Sequence, residues 1–404
     1  MKLDILNEID PVRLGEELTE ARKRRGLTQQ QAADTIQVLR TTMVAIEQGK
    51  RRIRADELIK LAELYKCHVS DLVRPRPKVD PTMPQYRSDN LLDAEDQAAA
   101  DQHVSQLVEY ARQYYELEQL LNRPLPYKYP PEYARGGDVG LAAETAASME
   151  RNRLGLGDGP IGDLRAVLEH EVGIRIFYFP LPKKFSAIYV YDDKLGACIA
   201  VNQNHPEERR RLSEAHDYGH VIDNRRLSDV YIEHRNRYAS PAEQFADNFM
   251  LYFLMPTTSV RRRCNEILSQ RKFTAGDIVT LAAYYGVSAE TMARRLEELQ
   301  ILRAGSWQTL KEKGFKVREV QQQLGIVTPV ARDSKFPVRY QLLAVEALDA
   351  GLITESEFAD LLQLDLVHAR HLAQLLQSQV QEVSRESLDP ENGSGQLREG
   401  NFEQ

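Results

Sequence analysis

The stretch RRRLSEAHDYGHVIDN, residues 209–224, decides how the larger part of this chain is expected to fold. Its periodicity, with that of the residues just before it, predicts a helix over residues 207–224. His216 and His220 are four positions apart, so on a helix they lie on one face and can bind one tetrahedral zinc ion. The spacing alone is weak, because a solvated helix with two histidines has the same pattern.

A second stretch, PAEQFADNFMLYFLMP at residues 241–256, can supply a further ligand. Its pattern predicts an amphipathic helix that brings the Glu243 carboxylate to the two imidazoles. Three protein ligands with the fourth position open to water are the arrangement of a catalytic zinc site. Asp247, one turn further on, is predicted to hold a metal-binding side chain in place without binding the metal itself. Direct binding of the metal is the alternative. Two imidazoles and one carboxylate would also accept manganese or iron.

The segments around these helices indicate the fold class. Apolar runs at residues 174–179, 187–191 and 197–201 predict a small sheet. Helices are predicted before these strands in the sequence, at 141–153 and 161–170, and after them over nearly everything beyond 277. We therefore expect a mainly α chain with a small β-sheet. An α+β unit spans residues 138–300, a helical C-terminal region spans 301–386, and a tail at 387–404 lacks the apolar content to fold.

The N-terminal stretch LTQQQAADTIQVLRTTMVAIEQGKRRI, residues 27–53, predicts two short helices that cross over a small core, within a five-helix unit at 1–74. The start of the second helix would reach base edges in the major groove. The first glutamine of the preceding helix and the basic run after the second helix would meet phosphates, whereas Glu47 is expected to anchor the domain internally. The predicted DNA contacts are Gln29, Arg40, Thr41, Thr42, Lys50, Arg51 and Arg52.

Between these units the sequence predicts a linker. Four prolines at positions 75–84 end the helical pattern, and residues 75–137 are predicted to be a proline-broken connector with one helix at about 91–121. A homodimer is expected, because one small helix-turn-helix unit reads too few bases for tight specific binding. Residues 104–121 are the candidate for part of its interface.

Composition excludes several classes of protein. The net charge of -7 argues against general attraction to nucleic acid, so DNA contact would depend on local basic clusters at residues 22–25 and 50–54. No window approaches the roughly 20 apolar residues of a membrane span, and the acidic N-terminus is unlike a signal peptide. Three scattered cysteines indicate neither a disulfide framework nor a cysteine zinc site. The expected location is the cytoplasm, without membrane contact.

Residues 12–74 resemble the lambda-repressor-like, or XRE, family of DNA-binding domains. The matching elements are LTQQQAA, IEQGKR and the trailing LAELYKCHVSDL. Two positions depart from the family pattern. Gln37 stands at the usual turn glycine, and Leu39 stands at the usual polar cap of the recognition helix, which loses a capping bond worth about 1 kcal/mol. The resemblance implies a double-stranded DNA operator as partner, and the alternative is a protein-interaction module as in some antitoxins.

Residues 140–300 resemble the ImmA/IrrE family of zinc metallopeptidases. The similarity lies in AASMERNRLGLGDGPIGDLRAVLEHEVGIRIFYFPLP, AIYVYDDKLGACIAVNQNHPEERRRLSEAHDYGH, EQFADNFMLYFLMP and LAAYYGVSAETMARRLEELQ. It implies a zincin-like fold with His216, His220 and Glu243 as the zinc ligands. In the family motif HExxH the glutamate takes a proton from zinc-bound water. Here Asp217 stands at that position and is the candidate catalytic residue, with a side chain one methylene shorter.

Together the two resemblances imply a DNA-binding transcriptional regulator with a zinc metalloendopeptidase domain. Its substrate would be an XRE-type repressor or its own linker, in stress, phage or toxin–antitoxin control. Asp217 leaves activity open, because a misplacement of about 1 Å can cost on the order of a hundredfold in rate. One alternative is a regulator with a catalytically degenerate peptidase fold that senses a ligand or partner. The other is an antitoxin-type module that binds a toxin.

Overall fold

The computed structural model describes residues 9–65, 67, 69–73, 86–87, 94–133, 137–226, 228–232, 240–326 and 334–386. The chain divides into two compact units, Met1–Lys78 and Val79–Gln404. The predicted tail at 387–404 and the prolines at 75–84 lie outside the described residues. Among the helices that are described, none combines the length and the apolar character that a membrane span requires.

The described residues of the first unit form five helices around one small core, as the sequence predicted. They are α1 (Pro11–Arg24), α2 (Gln29–Thr35), α3 (Arg40–Glu47), α4 (Ala55–Tyr65) and α5 (Val69–Val73). α1 packs closely on the end of α3, because a Cβ added at Gly15 would lie 2.5 Å from the carbonyl oxygen of Glu47. The buried core side chains are Leu14, Leu18, Ala32, Ala33, Ile36, Met43, Ile46, Ile53, Leu58, Leu61, Ala62, Tyr65 and Leu72.

The turn between α2 and α3 has both departures noted in the sequence. Gln37 has a φ of 58°, in the left-handed region that favours glycine. Leu39 precedes α3 and makes no side-chain hydrogen bond to its first N–H groups. In contrast, Thr28 caps α2 and forms a capping box with Gln31. The second helix of the pair therefore begins without the local stabilisation that the first one has.

The second unit is mostly helical around a mixed sheet. Its strands are β1 (Tyr86–Arg87), β2 (Arg175–Phe179), β3 (Phe185–Asp192), β4 (Gly196–Asn202) and β5 (Ser228–Ile232), in the order β1-β5-β3-β4-β2. β3 is antiparallel to both β4 and β5, whereas β2 pairs with β4 and β1 with β5 in parallel. The three predicted strands correspond to β2, β3 and β4, so the mainly α fold with a small sheet is confirmed.

The helices of this unit follow the sequence closely at the two motif helices. α9 and α10 have the bounds that the periodicity predicted, whereas the predicted helix at 161–170 is a short α8 that continues into a π-helical turn at Leu168–Val172. The helices are α6 (Ala94–Leu120), α7 (Val139–Arg153), α8 (Leu164–Val167), α9 (Glu207–Asn224), α10 (Pro241–Leu254), α11 (Thr257–Gln270), α12 (Ala275–Tyr285), α13 (Ala289–Glu298), α14 (Ser306–Glu312), α15 (Val317–Gln323), α16 (Val338–Asp349), α17 (Glu355–Leu362) and α18 (Leu366–Glu386).

Both faces of the sheet are covered by helices. Side chains along a strand alternate between its two faces, and in β4 Ile199 faces a core shared with α7, α9 and α10. Its neighbour Ala200 faces a second core shared with α6 and α16–α18. Double coverage explains why β2 and β4 are buried at every position instead of alternating with solvent. The C-terminal helices are thus a layer of the unit and not an appendage.

α6 belongs to this second layer, which differs from the linker predicted for residues 75–137. Its apolar stripe is buried within the chain, at Val104, Leu107, Ala111 and Leu117. That stripe is therefore not available for the homodimer interface predicted at residues 104–121. At the end of α6, Glu118 forms a buried ion pair with Arg175 of β2, at 2.8 Å between Oε2 and Nη2.

Candidate metal centre and nucleic-acid interface

α9 carries many charged side chains and is nevertheless buried along most of its length. Every residue from 210 to 223 is buried, and His216, Asp217 and His220 are at most 4% exposed. Buried ionisable groups are costly unless they are paired or bound to a metal ion. The burial of this polar helix therefore indicates a functional site along it.

α10 lies against α9 with the two backbones in contact. A Cβ added at Gly219 would lie 2.8 Å from the Cα of Ala246 and 3.2 Å from its Cβ. Gly219 immediately precedes His220, and Ala246 is one helical turn after Glu243. The close approach at this glycine therefore brings the carboxylate of α10 to the histidines of α9.

His216, His220 and Glu243 form a compact group of buried donor atoms. Nε2 of His216 lies 3.1 Å from Nε2 of His220. The Glu243 oxygens lie 3.5 Å from Nε2 of His216 and 3.3 Å from Nε2 of His220. Zinc–ligand bonds of about 2.0–2.2 Å at tetrahedral angles place neighbouring ligands about 3.3–3.6 Å apart. The three spacings are close to that range, so the residues fit a metal ion with two nitrogen ligands and one oxygen ligand.

Asp247 lies on the other side of the His216 ring. Its Oδ1 is 2.9 Å from Nδ1 of His216, which directs Nε2 of that ring toward the donor group. Burial by itself would lower the pKa of His216, but the carboxylates of Asp247 and Glu243 outweigh it and raise the pKa to about 10. The electrostatic environment at this imidazole therefore favours positive charge, which a divalent cation would supply.

Asp217 has no hydrogen-bond partner at its Oδ2 atom within the described part of the chain. The residue is 1% exposed. Burial raises the pKa of Asp217 to about 7, and the carboxylates of Glu243 and Glu214 also raise it, against the opposing effect of His216. Asp217 is thus a buried carboxylate with a raised pKa and with one oxygen that has no partner among the described residues.

Two residues of this centre were not predicted from the sequence. Gly219 had a signal, because a glycine inside a helical pattern often marks a close packing contact. Tyr189 of β3 is fully buried and stacks on the His220 ring, with ring centroids 6.3 Å apart and an interplanar angle of 19°. It had no sequence signal, because only the sheet packing brings this strand against α9.

In the first unit, the structure exposes several of the predicted DNA contacts. Arg40 and Thr41 at the start of α3 are exposed, and Thr42 is half-buried. Lys50 and Arg52, which follow α3, are also exposed. The buried residues of α3, which are Met43, Ile46 and Glu47, follow this exposed start of the helix.

Two of the predicted contacts are engaged with carboxylates of the same unit. Gln29 donates from Nε2 to Glu47 Oε2 at 2.8 Å, and Arg51 donates to both oxygens of Glu57 at 3.0 and 2.8 Å. Glu47 also accepts two hydrogen bonds from Arg22, at 2.6 and 3.0 Å. Burial opposes ionisation of Glu47, but the bonds from Arg22 and Gln29 outweigh it and lower the pKa. Glu47 therefore anchors the domain internally, as predicted, and Arg22 is held in the core.

Comparison with known families agrees with the two resemblances in the sequence. Residues 13–74 match the family model described as a helix-turn-helix domain, and residues 169–297 match the one described as an IrrE N-terminal-like domain. The second match contains His216, His220 and Glu243. The chain thus carries an XRE-like helix-turn-helix domain of the DNA-binding kind and, further along, an IrrE/ImmA-like domain.

More distant comparisons add little. No curated protein matches the chain. PlcR of Bacillus thuringiensis, solved in complex with the peptide PapR7 and DNA, is 13% identical, with 94% of this chain and 99% of that chain covered and a TM-score of 0.17. ComR from Streptococcus suis is 10% identical, with 92% and 96% covered and a TM-score of 0.15. With TM-scores this low, neither likeness supports a conclusion about this chain.

Proposed function

We propose that the chain is a DNA-binding transcriptional regulator whose second unit is a zinc-dependent metalloendopeptidase. The observation that carries the proposal is the group of three buried donor atoms on α9 and α10. Their spacings of 3.1, 3.5 and 3.3 Å suit a tetrahedral ion with one position left for water. The match of residues 169–297 to the IrrE N-terminal-like domain also supports the proposed metallopeptidase function of the second unit.

His216, His220 and Glu243 are the proposed ligands. Zinc bound there would polarise a peptide carbonyl and lower the pKa of a bound water. Asp247 orients the His216 ring through Nδ1, and the unpaired Oδ2 of Asp217 is the oxygen proposed to accept a proton. Burial of His216, Asp217, His220 and Glu243 limits their contact with bulk water, which strengthens their electrostatic interactions. Manganese or iron would suit the same donors.

Metal content of the purified full-length protein tests the centre. We expect about one zinc per chain, lost in His216→Ala and retained in His170→Ala, which removes an exposed histidine outside the donor group. Equal metal content in all three proteins would show that the metal binds elsewhere. Absence of metal from the wild type, after expression with added zinc, would contradict the proposed ligands.

Peptidase activity is tested separately with substitutions of Asp217. In Asp217→Glu the carboxylate gains a methylene and reaches the length of the HExxH glutamate, so cleavage of an XRE-type repressor is expected to rise by about tenfold or more. Asp217→Asn keeps the size of the side chain and is expected to abolish cleavage. If both Asp217→Glu and the wild type bind metal without cleaving, the alternative applies, in which the domain senses a ligand or partner protein.

The substrate is proposed to be an XRE-type repressor or the segment that joins the two units of this chain. Within the predicted linker, α6 is folded and its apolar stripe is buried. A peptidase requires an extended peptide, so cleavage inside α6 would first require it to leave the core. Self-cleavage is therefore proposed before residue 94. Fragments ending between residues 74 and 93, after incubation with zinc, would support it, and an intact chain beside a cleaved repressor would favour the separate substrate.

For the first unit we propose that Arg40, Thr41 and Thr42 contact base edges of a double-stranded operator. Lys50 and Arg52 are proposed to contact phosphates. Arg40→Ala is expected to weaken operator binding by about 1–3 kcal/mol and to reduce the preference for one base at one position of the operator. Lys50→Ala should weaken binding to all DNA sequences alike. It should also reduce the slope of log affinity against log salt concentration by about one. Lys60→Ala, at an exposed lysine of α4, is the matched control and should have little effect.

Gln29 and Arg51 are proposed to meet phosphates as well, through N–H groups beyond those that bond Glu47 and Glu57. Two copies of the unit are proposed to bind one operator as a homodimer, because one unit reads too few bases. The buried stripe of α6 excludes that face from the interface. The expected location of such a regulator is the cytoplasm, where operator DNA is present.

A further inference from the structure

Leu39, which immediately precedes α3, is the most exposed large hydrophobic side chain in the described part of the chain. It is 75% exposed, compared with 50% for Val12 and Ile59 in the same unit. Its backbone is extended, with φ of -70° and ψ of 149°. Leu39 stands four positions before Met43, so in a helical conformation its side chain would lie on the core face. The extended backbone instead directs the side chain into solvent, beside exposed Arg40 and Thr41.

Leucine at this position provides no side-chain cap for α3. Its carbonyl accepts the first helical bonds, from the N–H groups of Thr42 at 2.9 Å and Met43 at 3.1 Å, but its side chain caps nothing. Polar caps are used elsewhere in the same unit, at Asp10 before α1 and Thr28 before α2. A Ser, Thr, Asn or Asp at position 39 would stabilise the start of α3 and would expose no apolar surface.

From this geometry we infer that Leu39 contacts the C5-methyl group of a thymine in the operator. The inference rests on the proposed binding of DNA by the first unit. The start of the second helix of the motif is the part that reaches base edges. The thymine methyl is the apolar group among the donors and acceptors of the major groove, and aliphatic side chains recognise it by contact. Leu39 thus reads one thymine next to the bases contacted by Arg40 and Thr41.

The test begins with selection of bound duplexes from a random pool by the full-length wild-type protein. Each thymine of the selected site is then replaced by deoxyuridine, which removes the methyl group and keeps the hydrogen-bonding pattern. At one of these positions we expect the wild-type affinity to fall about fourfold, the effect of losing one buried methyl group. Affinities are compared at one fixed salt concentration, because salt changes all of them.

Leu39→Asn separates reading of the base from stability of the fold. Asparagine can cap α3, so this variant is expected to be at least as stable as the wild type. It should bind thymine and deoxyuridine at that position equally well, with an affinity about fourfold or more below that of the wild type for thymine. Ile59→Asn, at an exposed residue of α4, is the matched control and should keep the full thymine preference.

The outcomes distinguish this inference from the proposed function. If the wild type selects no sequence and binds no duplex, the proposed operator binding fails. If a site is selected but no deoxyuridine substitution weakens binding, the thymine contact is refuted while operator binding stands. Equal loss with deoxyuridine in the wild type and in Leu39→Asn would assign the methyl contact to another residue.

Discussion

Replacement of Gly219 by alanine is expected to impair metal binding more than it impairs folding. The new Cβ would lie 2.8 Å from the Cα of Ala246 and 3.2 Å from its Cβ, whereas non-bonded carbon atoms pack at about 3.5–4.0 Å. To relieve the shorter contact, α9 and α10 would have to separate by about 0.7 Å or more. Both proposed histidine ligands lie on α9 and the proposed glutamate ligand lies on α10, so the separation acts directly on the donor group.

The size of the effect follows from the tolerance of metal sites. Metal–ligand distances are held within about 0.2 Å, so a shift of about 0.7 Å takes Glu243 out of range unless its side chain follows the ion. We expect zinc affinity to fall about 10- to 100-fold, as for other residues that orient ligands. Overpacking costs about 1–3 kcal/mol, and alanine recovers about 1 kcal/mol through its helix propensity. The free energy of unfolding of the metal-free protein should therefore fall by only about 0–2 kcal/mol.

The assay is titration of metal-depleted protein with zinc against a chromophoric chelator, together with denaturant unfolding. Adding Ala246→Gly to the Gly219→Ala variant removes only the 3.2 Å contact and leaves the 2.8 Å contact with the Cα of residue 246, so the double variant should keep the reduced zinc affinity. Gly276→Ala is the control, because its Cβ would meet other atoms only at 3.6 Å and beyond. Unchanged zinc affinity in a correctly folded Gly219→Ala protein would refute the reasoning that this backbone contact sets the ligand spacing.

Three further substitutions test other features of the structure. Asp247→Ala removes the partner of Nδ1 in His216 and should reduce zinc affinity about 10- to 100-fold, whereas retention of wild-type affinity in the chelator assay would show that the ring is oriented by packing alone. Gln37→Gly relieves the positive φ at the helix-turn-helix turn and should stabilise the first unit by about 1 kcal/mol, measured as a higher unfolding midpoint of that unit; a lower midpoint would contradict this account. Arg271 beside Asp277 lowers the pKa of that carboxyl to about 2, below its unfolded value of about 3.9. The resulting stability is present above about pH 4 and is lost as pH falls toward 2. Asp277→Asn should thus cost about 1 kcal/mol at pH 7 and almost nothing near pH 2, and an equal cost at both pH values would exclude the ion pair as its source.

The sequence predicted the helices of the candidate site because their patterns are local. The bounds of α9 and α10 follow from the 3.6-residue period, and the four-residue spacing of His216 and His220 places them on one face. The match between Glu243 and these histidines depends on how two helices pack, and here the family resemblance supplied what spacing alone could not. Similarly, the missing cap at Leu39 was visible because a cap is a property of one position.

The contacts that the sequence did not predict join residues far apart in the chain. α6 was predicted as a helix, but no local pattern shows that its apolar stripe packs on the second face of the sheet. Arg175 lies in an apolar strand, and its partner Glu118 is 57 positions earlier. β5 was missed because Ser228–Ile232 is short and has two polar residues at its start. In each case contacts between residues far apart in the sequence, and not the local secondary-structure propensity, determine the structure.

The helices that cover the second face of the sheet are made at different times during synthesis on the ribosome. They come from opposite ends of the unit: Glu118 of α6 accepts a hydrogen bond from Arg339 of α16, and Tyr110 accepts one from Lys335, 225 positions later. The first unit has its own core and can fold as soon as it emerges. The second face of the sheet, however, is covered by α6 alone until α16–α18 have been made. The first unit of a nascent chain can therefore be folded while the second unit is still incomplete, and a message broken before codon 338 would yield a folded helix-turn-helix domain joined to a fragment prone to aggregate.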